Sequence, residues 1–301
     1  MTTSWKEDQQ DNPHFQNQEE QSTIAILHNL LNQTATPELA AAQITSTYEP
    51  CLLQGRTDLC LLWRLICLAV IHPMTTHQNL EELAEMLVYI SRSPDVMANG
   101  KVVGENGREY WHDLPEFSFW FMEYTMSVNP IESIDEGWAR ISWSQQARRF
   151  EVANCFGAIL LGRIDPNLAL KVSRGLNRLA LETIRDALEV SIKTPAQIRR
   201  TGIYIPAAAQ WFIHSSSRIW AFCKNKEGYE GERVWKQWLG GSDGSNPIWL
   251  GDDGFSVERW RFWKERFVAV LEIEGGDGCV FDHARRAAKA MDDAEQEGTL
   301  R

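Results

Sequence analysis

Three groups of polar residues in this 301-residue chain stand where their neighbours leave little room for charge. Glu123 is the one formal charge between Phe117 and Ile131, in a segment that is otherwise aromatic and aliphatic. A carboxylate drawn into an interior must be paired, protonated or turned to a cavity. Lys264 falls inside the apolar arc that Val257, Trp260, Trp263, Phe267, Val268, Val270 and Leu271 form on a helical wheel of about 100° per residue. Trp211, His214 and Arg218 follow one another at i, i+3 and i+7, beside a core stripe of Ala208, Phe212, Ser215, Ile219 and Phe222. Histidine titrates near neutrality and arginine holds an oxygen anion, so this second stripe suits the wall of a groove. Glu123, His214, Arg218 and Lys264 are therefore the candidate acid–base and hydrogen-bonding groups. Trp120, Trp211, Trp260 and Trp263 are the candidate walls of a substrate pocket. Each has a plain structural alternative. Glu123 reaches water at a helix rim, Lys264 snorkels to solvent or pairs with an acid such as Glu123, and Arg218 stacks on Trp211.

The motifs of cofactor chemistry are absent from the sequence. There is no G-x-x-x-x-G-K-[ST], no G-x-G-x-x-G after a strand, no H-E-x-x-H and no G-x-S-x-G. The seven histidines are dispersed and the six cysteines form no C-x-x-C pair, so no metal and no cofactor is expected. The cysteines read as free thiols of a reducing cytoplasm. A net charge of −11 argues against nucleic acid and against an anionic membrane surface. Thirteen tryptophans suit either core filling or an aromatic cavity for an apolar ligand.

The elements that position these residues read as all-α, about ten helices packed as antiparallel pairs, with a loop or small hairpin near residues 100–110. Residues 1–22 are polar and acidic and predict a disordered tail. Residues 23–93 hold four amphipathic helices, punctuated by Thr36-Pro37, Pro50, Asp58, His72-Pro73 and Ser93-Pro94. The Asn99-Gly100 and Asn106-Gly107 pairs mark a loop over 94–113 that divides two helical domains. The second domain runs over 114–293. It has an interior helix from Phe117, a helix entered near Trp138 and Trp143, one capped at Asp165-Pro166 and stopped by Thr194-Pro195, and one begun by Pro206. A Gly-rich loop over 225–254 carries Trp235, Trp238 and Trp249, Ser256 caps the next helix, and a last helix ends near Met291 before a 294–301 tail.

The run from Gly254 to Phe267, G-F-S-V-E-R-W-R-F-W-K-E-R-F, resembles the signature of a filamentous-fungal family known as domain of unknown function 3632. Pro206-Ala207-Ala208-Ala209-Gln210-Trp211-Phe212 is similar to that family's P-A-A-A-x-W-I segment, and Arg185 to Glu189 to its L-R-x-A-L-E stretch. The resemblance spans about residues 140–293 and implies a fungal, intracellular, helical protein encoded near genes of specialised metabolism. It implies no particular reaction. Two functions stay open on these grounds. One is a cofactor-independent cyclase, isomerase or pericyclase that folds an apolar metabolite inside a Trp-lined pocket. The other is a non-catalytic interaction or regulatory protein, or a carrier for such a metabolite. An enclosed pocket lined by these tryptophans favours the first, and a filled interior favours the second.

Overall fold

The computed structural model describes residues 5–55, 59–105, 108–126, 143–165, 170–228, 248–274 and 277–299. Eleven α-helices carry the fold among them: α1 (Trp5–Gln10), α2 (Gln18–Leu31), α3 (Pro37–Leu53), α4 (Cys60–Val70), α5 (His77–Ser91), α6 (Phe117–Phe121), α7 (Trp143–Arg163), α8 (Leu170–Leu188), α9 (Pro195–Asn225), α10 (Val257–Val270) and α11 (Gly278–Thr299). The protein is all-α, as its sequence predicts. Four short strands make two separate hairpins, β1 (Met97–Ala98) with β2 (Lys101–Val102), and β3 (Gly104–Glu105) with β4 (Arg108–Glu109). Asn99 and Gly100 turn the first at φ of 52° and 74°, the left-handed pair that a two-residue hairpin requires. Trp138, Asn106-Gly107, Pro166, Trp235 and Trp238 lie outside the described residues.

The chain divides into two compact units, residues 1–128 with 163–176, and residues 129–162 with 177–301. The division therefore falls away from the 94–113 segment, whose hairpins belong wholly to the first unit. Within that unit α4 is its most buried long helix: Leu62, Trp63, Leu65, Ile66, Cys67, Ala69 and Val70 all leave solvent. Trp63 donates its indole N–H to the Pro115 carbonyl at 2.9 Å and meets Phe117 edge-on at 5.4 Å. The predicted tail is structured from residue 5. Trp5 and Phe15 are buried, and the Arg64 guanidinium lies 5.3 Å from the Phe15 ring. Burying two such side chains stabilises by about 1.5–3 kcal/mol each, a contribution that a fully solvated tail would lack.

In the second unit α9 runs for 31 residues and packs along α11. Thr194-Pro195, expected to stop a helix, begins this one. The Thr194 side chain accepts from the Gln197 backbone N–H, Gln197 answers the Thr194 N–H, and Pro195 takes the first turn where no N–H is needed. Pro206, expected to begin the helix, lies inside it. The actual break is at Ser215, whose φ of −142° and ψ of 26° leave the helical region. The last helix likewise runs to Thr299, past the predicted start of a tail.

Candidate functional site

In the first unit, Trp120 is half-buried and stacks on Tyr124 with centroids 5.5 Å apart, while Phe119 meets it edge-on. Glu123 stands one residue before that tyrosine, in a single π-helical turn over Met122–Met126 that continues α6. The Glu123 side chain is exposed, which is the helix-rim placement among its two readings.

The remaining candidates lie in the second unit. Trp211, Trp260 and Trp263 are fully buried, and Phe212 stands edge-on to Trp260 at 5.5 Å, to Trp263 at 6.0 Å and to Phe267 at 5.4 Å. Each indole N–H has an acceptor at 2.7 Å: Asn154 Oδ1 for Trp211, Glu295 Oε1 for Trp260 and Glu189 Oε1 for Trp263. Trp211, read from the wheel as the flank of a core stripe, is itself core. Lys264 pairs with Asp292 and with Glu295, both on α11. Burial pulls its ammonium pKa down, and the hydrogen bonds to these two carboxylates outweigh that and raise it overall. His214 and Arg218 are half-buried on α9.

Behind the tryptophans lies a buried ion pair that sequence reasoning did not single out. Arg259 is fully buried and grips Glu189 with two donors, Nε to Oε1 at 2.6 Å and Nη2 to Oε2 at 2.9 Å. Its Nη1 donates to the Gly254 carbonyl at 2.6 Å, and the guanidinium lies 5.5 Å from the Trp263 ring and 5.8 Å from Trp249. Gly254 has φ of +77°, and a Cβ there would stand 2.7 Å from the Glu227 carbonyl oxygen. Ser256 caps α10 by accepting from the Arg259 N–H. Gly254, Ser256, Arg259, Trp260 and Trp263 thus each hold a place in one structural knot. The G-F-S-x-x-R-W motif is a folding signature here. The distances that join it, 70 residues between Glu189 and Arg259, are invisible to local spacing.

Two further arrangements in this unit have chemical potential. A cleft of about 460 Å³ opens between α7, α9 and the start of α11, with Arg148, Glu151, Arg199, Thr201 and Asp277 in its lining. Beside it His283 Nε2 donates to Glu151 at 3.0 Å and Nδ1 to the Cys279 carbonyl at 2.9 Å, and Gln210 also donates to Glu151. The Glu151 hydrogen bond comes first among the causes that raise the His283 pKa above its ordinary value, ahead of the burial that opposes it. Deeper in the unit, Cys155 Sγ stands 3.6 Å from His214 Nε2. Cys155 was read from sequence as one of several scattered thiols, and 59 residues separate it from its partner.

The model of the family described as protein of unknown function (DUF3632) matches residues 63–267, more than half of the chain. The chain belongs to this family. The DUF3632 match begins well before the stretch that carries the sequence resemblance, taking in α5 and both hairpins, and it ends inside α10, leaving α11 outside. Glu123, His214, Arg218 and Lys264 lie inside the DUF3632 region, and so do Glu189, Arg259 and Cys155. The α11 carboxylates that hold Lys264 and Trp260 lie beyond it. Neither curated proteins nor solved structures give a match. No helix among the described residues is long and apolar enough to cross a membrane.

Proposed function

We propose that this chain is a helical binding protein that holds a polar or charged partner without turning it over. The observation that supports this reading is the state of its tryptophans. Trp211, Trp260 and Trp263 fill an interior, each with its N–H engaged by a side chain of the same unit. A pocket catalyst for an apolar substrate would need those ring faces against a cavity. The cleft between α7, α9 and α11 is open, and Arg148, Arg199 and Asp277 give it charge of both signs. Such a lining suits a partner recognised by ion pairs and hydrogen bonds. A cytoplasmic setting is part of the proposal, and six cysteines that form no disulfide among the described residues support it.

The test joins two measurements. Thermal-shift screening of metabolite and peptide pools is expected to find a stabilising ligand whose effect is lost in Arg148→Glu/Arg199→Glu. Mass-spectrometric profiling of the host with and without the gene is expected to show no substrate accumulating in place of a product of equal mass. An isomer pair that swaps on deletion overturns the proposal. It would establish the second reading, a cofactor-free cyclase or isomerase of fungal specialised metabolism, which the His214–Cys155 contact favours because it gives a candidate acid–base residue a reactive neighbour.

A further inference from the structure

Six thiols in this chain meet different surroundings, and one of them faces a base. Cys67 and Cys223 are buried, and burial pushes both thiols far above their ordinary range. Cys51 donates to the Glu19 carboxylate at 2.8 Å, an anion that disfavours a second negative charge. Cys279 also touches a histidine, His283 Nδ1 at 3.6 Å. Both nitrogens of that ring already donate, to a carbonyl and to a carboxylate, and neither of those partners can donate in return. With a carbonyl and a carboxylate engaging its two nitrogens, the His283 ring leaves neither nitrogen to take the Cys279 proton. Cys279 is further raised by burial and by Glu151, Asp277 and Asp282.

Cys155 is also buried, at 6% exposure, and differs from Cys67 and Cys223 in what holds it. Its neighbour Asn154 is fully buried and triply bonded: Nδ2 donates to the Phe150 carbonyl at 2.8 Å, while Oδ1 accepts from Trp211 Nε1 at 2.7 Å and from Thr183 Oγ1 at 2.8 Å. That amide ties α7 to α8 and α9. Seven residues beyond Cys155, on the same face of α7, Gly162 lies so close to α9 that a Cβ would stand 2.6 Å from the His214 carbonyl oxygen. His214 itself ends the regular first part of α9, directly before the break at Ser215, where the Ser215 hydroxyl donates to the Trp211 carbonyl at 2.7 Å. The imidazole is thus fixed over Cys155 Sγ at 3.6 Å, a hydrogen-bonding separation for sulfur, and is half-buried, not sealed.

We propose that Cys155 and His214 form a nucleophilic thiol–imidazole pair that captures soft electrophiles, specifically α,β-unsaturated carbonyl compounds. A basic nitrogen against a thiol is the arrangement that activates sulfur for attack. His214 Nε2 takes the Sγ proton, the sulfur electron pair forms a bond to the β-carbon, and the C=C π pair moves to the enolate. The proton then returns from His214 to the α-carbon. One S–C bond and one C–H bond replace one S–H bond and one C=C π bond, with no other reactant. The product is a stoichiometric thioether, so this capture goes beyond the reversible partner binding proposed above and does not depend on it.

N-ethylmaleimide, an α,β-unsaturated carbonyl compound, is the probe. The native full-length chain is treated for graded times, and the adduct at each cysteine is followed by peptide mass spectrometry. Cys155 is expected to react about 100-fold faster than Cys67 and Cys223, the lower bound for a positioned general base. His214→Gln is expected to slow Cys155 by about the same factor and to leave Cys279 unchanged. A Cys155 rate no greater than that of Cys67 and Cys223 overturns the proposal, as does an unchanged rate in a folded His214→Gln protein. Should that variant lose its native circular dichroism, the ratio between cysteines in the unsubstituted chain decides alone.

Discussion

Arg259→Met removes a fully buried guanidinium from a carboxylate that is itself buried. In the native chain Glu189 receives two donors from Arg259 and one from the Trp263 indole, and the Gly254 carbonyl receives the third guanidinium donor. The methionine restores volume but leaves the Glu189 charge with a single neutral donor. Breaking one side of a buried pair in this way costs about 3–5 kcal/mol. At a urea m-value of about 2–3 kcal/mol/M, the unfolding midpoint followed by far-ultraviolet circular dichroism falls by about 1–2.5 M. The double variant Arg259→Met/Glu189→Gln removes the stranded charge while the glutamine oxygen still accepts from Trp263. It is therefore expected to be more stable than Arg259→Met alone, although it carries one more substitution. A loss under about 1 kcal/mol for the single variant, or a double variant less stable than the single, would refute the assignment of this pair as the anchor of the unit.

Asn154→Ala leaves the Trp211 N–H and the Thr183 hydroxyl without their acceptor, and about 2–4 kcal/mol should be lost in the same urea assay. Gly162→Ala sets a Cβ 2.6 Å from the His214 carbonyl oxygen, a backbone atom that cannot rotate away. A loss of about 1–3 kcal/mol is expected, together with slower maleimide capture at Cys155. Glu151→Gln removes the carboxylate that raises the His283 pKa. A histidine with a raised folded pKa contributes stability that is fully present below its unfolded pKa of about 6.5 and lost as pH rises through the folded value. The stability difference between Glu151→Gln and the native chain should therefore be larger at pH 5.5 than at pH 9.5, and an equal difference at both would sink this account.

Local signals in the sequence foretold much of the first unit. Thr36 caps α3 by accepting from the Leu39 N–H with Pro37 at the first turn, and Asn99-Gly100 makes the hairpin its left-handed preference requires. Signals failed where the deciding partner was distant or where a residue has two local uses. Thr194-Pro195 marks a stop or a cap with equal force, and the fold uses it as a cap. Pro50 and Pro206 were read as boundaries, yet both sit within helices because packing outweighs one missing backbone hydrogen bond. Trp5 and Phe15 are too few to mark a core in a polar stretch, but both are buried. Lys264 looked misplaced because its two carboxylates arrive on α11, about thirty residues later. The pairing of Cys155 with His214 and of Glu189 with Arg259 depends on how helices cross, which no window along the chain contains.

The hydrogen-bonded indoles have a spectroscopic use. Trp63 donates its N–H to a carbonyl inside the first unit, whereas Trp211, Trp260 and Trp263 donate theirs to side chains inside the second. All four rings are sealed from solvent, so these protons exchange with deuterium only when the surrounding packing opens. In a 15N-labelled sample their signals fall in the sparse indole region of a two-dimensional spectrum, away from the crowded backbone amides. The decay of the Trp63 signal then times the opening of one unit, and the other three time the opening of its companion. Unequal decays would identify two independently opening units, and matched decays one cooperative event, with no reporter group beyond the chain's own tryptophans.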